Sequence, residues 1–177
     1  MFQRQIGNNP KMKQRGISVV EILVAIAVIV AVLVSFLTLI SLSLDAQAKA
    51  RQNVIAANLA QEALEAARSF RNNIVWDNND PGDEYDGFGV LLVGFPYHLE
   101  ISGDEEPKWK LVQGEEIIDI FSRKVIFEDV QRDGSDNIVA SGGINDPNTK
   151  KASVFVSWLE KGRSREIKLS AYFTNWR

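Results

Sequence analysis

A chain of 177 residues with a formal charge of -3 has room for one compact domain or two modest ones, and it lacks the basic excess of a nucleic-acid-binding fold. It contains no cysteine, which excludes disulfides, thiolate metal sites and cysteine nucleophiles. A single histidine, with no G-x-S-x-G, H-E-x-x-H or P-loop string, leaves no assembled catalytic motif, so no enzyme is expected.

The charge is unevenly placed. Residues 1–16 carry Arg4, Lys11, Lys13 and Arg15 and no acid, so the remainder carries -7, that is -3 less the +4 of this tip. A basic tip ahead of an apolar run keeps an N-terminus on the cytoplasmic side of a membrane. Between residues 17 and 44 only Glu21 is charged, and residues 22–44 are 23 apolar or small hydroxyl side chains without Pro or Gly. As a helix this run measures about 35 Å, enough to cross a bilayer core of about 30 Å. Ser35, Thr38, Ser41 and Ser43 can bond back to helix carbonyls without interrupting it.

Past Asp45 the hydrophobicity falls, but Ala, Gln, Glu, Arg and Lys sustain a helix through Arg71. Ile55, Leu59, Ala63, Ala66 and Phe70 fall on one face, with Arg51, Gln61, Glu62, Glu65 and Arg68 mostly elsewhere, so one stripe can pack on a sheet. A continuous helix over 17–71 would be about 80 Å long. Asn72, Asn73, Asn78, Asn79, Pro81, Gly82, Gly87 and Gly89 then mark 72–89 as a loop.

Strands are predicted at 90–93, 97–102, 109–113, 117–129, 152–159 and 165–173. The clearest pair sets Val154, Val156 and Trp158 against Ser153, Phe155 and Ser157, and Ile167, Leu169, Ala171 and Phe173 against Glu166, Lys168, Ser170 and Tyr172. Lys161 and Gly162 suit the hairpin turn between them. The expected fold class is α+β: a long N-terminal helix, transmembrane in its lower half, packed by its upper half on a C-terminal antiparallel sheet. The segments are a leader over 1–16, a membrane helix over 17–44, its amphipathic continuation over 45–71, and a β-rich domain over 72–177.

The string Arg15, Gly16, Ile17, Ser18, Val19, Val20, Glu21, continued by Ile22, Leu23, Val24 and Ala25, resembles the class III signal of the type IV pilin-like (prepilin) family, pseudopilins included. The resemblance implies cleavage after Gly16 by a prepilin peptidase, whose second activity N-methylates the new terminus at Ile17. A glycine before the cut lets an extended backbone approach an active site closely. Ile17 stands where the family usually has Phe, and Ser18 where it usually has Thr. The family assigns Glu21 to assembly, as partner of the N-terminal amine of a neighbouring subunit. A carboxylate inside an apolar helix costs roughly 2.5 to 3.5 kcal/mol, so it calls for such a partner; snorkelling to the cytoplasmic interface is the alternative.

Residues 57–68, with Ala57, Asn58, Leu59, Gln61, Glu62, Leu64, Glu65 and Arg68, also look like the post-membrane helix of minor pilins and pseudopilins, although any amphipathic helix would serve. What the resemblance implies is a structural subunit, of minor type, of a pilus-like or type II secretion pseudopilus filament. Its partners would be the prepilin peptidase/methyltransferase, other pilin or pseudopilin subunits, an inner-membrane assembly platform and the lipid bilayer, with no nucleic acid. It would sit single-pass in the cytoplasmic membrane, N-terminus inside, before joining a filament at the cell surface or in the periplasm.

Alternatives stand beside this reading. Ala46, Gln47 and Ala48 form an A-x-A site, but a secretory signal has an apolar core of roughly 7 to 15 residues, shorter than the run here. A plain single-pass anchor for a binding domain that does not polymerise needs only the span. His98 is expected to be an ordinary sheet residue, because a catalytic base needs oriented partners. No cofactor is expected, with structural calcium as a lesser alternative at Asp77, Asn79, Asp80, Asp83 and Asp86 or at Asp129, Asp133 and Asp136. In the first loop Pro81 and Phe88 depart from the EF-hand pattern, and solvated turns explain both loops. Trp158 and Trp176 are expected to pack the C-terminal sheet or to form a contact surface.

Overall fold

The computed structural model describes residues 16, 18–77, 87–103 and 107–176. The leader up to Arg15, Ile17, and the acidic-loop residues Asn79, Asp80, Asp83 and Asp86 lie outside the described residues. The chain divides into two compact units, Met1–Gln47 and Ala48–Arg177. Helix α1, Val19–Asn73, runs through the boundary, two residues longer at its C-terminal end than composition suggested.

In the first unit every described residue is exposed, including the whole apolar run from Val19 to Leu44. A helix apolar all round needs either a protein core or a lipid environment, and no core of described residues covers this one. It is therefore a helix long and apolar enough to cross a membrane, and its composition does not arise from burial within the fold. Ser35 Oγ and Thr38 Oγ1 bond back to the carbonyls of Ala31 and Val34 at 2.8 and 2.9 Å, as expected.

In the second unit the C-terminal part of α1 packs on an antiparallel sheet, confirming the α+β class. The strands are β1 (Pro96–Ile101), β2 (Trp109–Gln113), β3 (Glu116–Ile118), β4 (Phe121–Arg132), β5 (Ile138–Val139), β6 (Ile144–Glu160) and β7 (Arg163–Thr174). Their order is β2-β1-β4-β6-β7, with β3 and β5 paired to the two ends of β4. Phe121, Val125 and Phe127 pair with Trp158, Val154 and Ala152, all on the face turned to the helix, while β7 continues this face with Ile167, Leu169, Ala171 and Phe173.

The helix contact centres on Ala56, Ala60, Ala63, Ala67 and Phe70, with Ala66 beside them, while Ile55, Leu59 and Leu64 fill the margins. Ile55 and Leu59 belong to the expected face but lie at its edge. Alanine at the centre lets the backbone of the helix approach the sheet, and the larger side chains then reach the sheet from either side.

Three strand expectations need correction. Residues 90–93 are a turn and bend, with only Leu91 buried, and Gly94 at φ 80 turns the chain so that its N–H reaches Phe127 O at 2.9 Å. The single strand expected over 117–129 is a hairpin, β3 and β4, turning at Asp119 (φ 56) and Ile120. Asp is among the few residues that tolerate the left-handed region, so no Gly or Pro announces the turn. Strand β6 starts eight residues before the expected 152 and takes in Pro147, which sits where three residues loop out between the Asp129–Lys150 and Val130–Asp146 pairs. Strand β5 was not anticipated. The turn at Lys161 (φ 48) and Gly162 (φ 78) has the positive φ pair of a two-residue type I′ hairpin, as expected.

The loop between helix and sheet supplies the centre of the core. Phe88 is fully buried, with ring centroids 5.4 Å from Phe127, 5.5 Å from Trp76 and Phe173, and 6.3 Å from Phe70. Its N–H bonds Val75 O at 3.0 Å, and Gly89 N–H bonds Trp76 O at 2.7 Å. A Cβ on Gly89 would lie 2.4 Å from Trp76 Nε1, so glycine is required for this approach. Arg71, buried at the helix C-terminus, stacks over Trp76 and Phe88 and donates to Thr174 O at 3.1 Å, tying the helix end to the end of β7.

Arg123 performs the same task nearer the middle. It points from β4 into the helix contact, donating to Leu59 O at 3.2 Å and to Glu116 Oε2 through Nε (3.1 Å) and Nη2 (2.6 Å), with Glu62 at 3.3 Å. Its side chain is 7 % exposed, against 31 % for Glu116 and 58 % for Glu62. Glu116 therefore neutralises the buried charge and Glu62 adds little. Glu116→Ala is expected to cost about 2 kcal/mol and Glu62→Ala well under 1 kcal/mol in chemical denaturation of the detergent-solubilised chain. Equal losses would show that Glu116 is not the principal partner.

Candidate functional site

The residues singled out at the start of α1 are placed in a simple local geometry. Ser18 O accepts from Glu21 N at 3.0 Å and from Ile22 N at 3.2 Å, which makes Ser18 the N-cap and puts Glu21 at the third helical position. Serine and glutamate at that spacing are the two members of a capping box, a signal present in the sequence that went unused. The carboxylate thus stands in the first turn, at the positive end of the helix.

Magnitudes decide whether that position accounts for Glu21. The helix dipole offers about 0.3 to 1 kcal/mol, less than the roughly 2.5 to 3.5 kcal/mol that a carboxylate would cost at the centre of a bilayer. The dipole alone would therefore not hold Glu21 deep in lipid without a partner or access to the interface. Glu21 is exposed and has no ion pair among the described residues.

Gly16 is exposed, and a Cβ built on it meets no atom within 4 Å. Among the described residues, no packing contact requires glycine there. Ile17, the expected methylation site, lies outside the described residues.

Elsewhere the acids are held singly. Asp129 pairs with Lys150 at 2.6 Å; Asp133 accepts from the N–H groups of Ser135 and Asn137 at 2.8 and 2.9 Å; Asp136 faces Arg132 at 3.6 Å. These three do not converge, and no cluster of three or more potential metal ligands occurs among the described residues. The backbone bonds from Asn137 and Ser135 hold the Asp133 carboxyl below its ordinary range, and bonding from Arg132 does the same for Asp146. Lys151 lowers Glu128 likewise. Each of these shifts has a structural ion pair or turn as its cause.

His98 Nε2 lies 2.8 Å from Glu100 Oε1, two residues along the same strand, while Nδ1 is buried without a hydrogen-bond partner among the described residues. Trp158 is buried against Phe121 at 5.6 Å, as expected of a packing residue, whereas Trp176 is exposed. Compared with known proteins, the chain matches no family model, no curated protein and no solved structure.

Proposed function

We propose that this chain is the precursor of a structural, minor-type subunit of a type IV pilus-like or type II secretion pseudopilus filament, cleaved after Gly16 by prepilin peptidase and N-methylated at Ile17. The observation that carries the reading is one arrangement: a carboxylate without an ion pair among the described residues, in the first turn of an exposed apolar helix, five residues beyond a glycine against which no described residue packs. Before assembly the mature subunit rests single-pass in the cytoplasmic membrane, N-terminus inside. During assembly the exposed helix exchanges lipid contacts for neighbouring helices, a step that gains little from hydrophobicity and relies on packing and the Glu21 pair. The β-rich unit then determines what the filament touches.

Co-expression with a prepilin peptidase tests the first step. Intact-mass analysis is expected to find the chain beginning at Ile17 with one added methyl group. Gly16→Leu is expected to block cleavage while leaving the helix in place, because the position is unpacked. A precursor that keeps its leader beside active peptidase defeats the proposal, and a mature terminus at Lys49 would establish a secretory signal instead.

A further inference from the structure

The second unit carries an exposed apolar corner that its own core does not use. Ile117, Ile120 and Leu159, exposed by 76, 48 and 70 %, surround a shallow groove floored by Phe121 and Trp158, where the β3–β4 and β6–β7 turns lie side by side. Beside it opens a polar cleft of about 420 Å³ between the first turns of this unit's helix and the end of β6, lined by Lys49, Gln52, Asn53, Trp158, Glu160 and Arg165. Trp158 belongs to both. It is 5 % exposed, yet its Nε1 donor has no acceptor among the described residues. Glu160 Oε2 accepts from Arg165 at 2.7 Å, while Oε1 lies 3.5 Å from Lys49 Nζ and has no hydrogen bond among the described residues.

Chain connectivity says what this corner meets. The Lys49–Glu160 pair locates it at the end of the sheet beside the first turn of this unit's helix. The apolar run ends at Leu44, four residues before Ala48, and four residues span at most about 14 Å. Any bilayer surface reached by Leu44 therefore passes close to this corner. Charges of both signs stand beside it, Lys49 and Arg165 on Glu160 and Lys124 on Glu115, a pattern suited to a zwitterionic surface and not to a single-sign partner.

We propose that this corner is a bilayer-docking surface: Ile117, Ile120 and Leu159 insert among phospholipid headgroups, and the adjoining cleft takes one headgroup, with Trp158 Nε1, Lys49 and Arg165 toward its phosphate and Glu160 toward its ammonium. Tryptophan at the boundary of apolar and wet surroundings, with bases reaching to phosphate, is the usual chemistry of a membrane interface. Docking holds the β-rich unit down on the membrane before assembly and must be released for the subunit to leave. The inference rests on the membrane reading above.

The absence of native cysteine allows single labels in the full-length chain. Nitroxides on V30C, L159C and D136C, in vesicles of phosphatidylethanolamine and phosphatidylcholine at low protein-to-lipid ratio, are compared for collision with oxygen and with a water-soluble nickel chelate. Position 30 is expected in the hydrocarbon, 159 at the interface and 136, at the opposite end of β4, in water. Ile117→Ser with Ile120→Ser, both at exposed sites, is expected to lower the lipid exposure of 159 several-fold. A label at 159 as aqueous as that at 136, with 30 in lipid, overturns the docking surface and leaves the membrane reading standing. Protection of 159 that arises only as the protein-to-lipid ratio is raised overturns it in favour of a second copy. A label at 30 in water overturns both readings.

Discussion

Phe88→Ala is expected to lower the stability of the second unit by about 3 to 5 kcal/mol, the range for truncating a fully buried aromatic. The ring meets four aromatic neighbours, from the helix, the loop after it, β4 and β7, so its removal opens a cavity where all of them converge. Collapse cannot fill it, because Phe127 and Phe173 are fixed by strand pairing and Trp76 by its bond to Pro147 O at 2.9 Å. Against a total stability of about 5 to 15 kcal/mol, the loss takes a large share. Denaturant unfolding followed by tryptophan fluorescence measures it, with Leu92→Ala, at an exposed position, expected to stay within about 0.5 kcal/mol of the parent. A loss below about 1 kcal/mol at Phe88 would mean that the loop is not part of the cooperative core.

Glu21→Ala is expected to reduce incorporation into filaments at least about tenfold, the change that goes with 1.4 kcal/mol, while membrane insertion persists or improves. The two effects have opposite signs for one reason. Removing the carboxylate relieves the cost of holding it in lipid, and it also removes the group that a neighbouring amine would neutralise. Glu21→Gln separates charge from size, and incorporation should fall with it as well. The readouts are the copy number of the subunit in purified filaments and its alkaline-resistant membrane fraction. Unchanged incorporation in both variants would favour a membrane-anchored binding domain that never polymerises. Lost insertion would place Glu21 in folding or targeting instead.

Some of this molecule was legible because the signal is local. The apolar run announces its solvent through composition, and Ser35 and Thr38 bond within their own helix as their spacing predicts. The β6–β7 hairpin follows from period-two alternation meeting a Lys-Gly pair. Gly16 and Glu21 stand out through the resemblance to the class III signal, and among the described residues neither makes a packing contact. Other elements misled. The β3–β4 turn carries no glycine or proline, and β6 begins at Ile144, well before the 152 that side-chain alternation predicts.

The membrane-length helix, the α+β class and the glycine-to-glutamate spacing can all be read along the chain, since each depends only on neighbouring residues. Tertiary structure alone decided that alanines form the helix contact, that a loop phenylalanine occupies the middle of the core, and that Arg123 and Arg71 lock helix to sheet. Those outcomes depend on partners far away in the chain: Leu59 for Arg123 and Thr174 for Arg71. Burial follows from which surfaces meet, and a periodic pattern names a face without naming what will cover it.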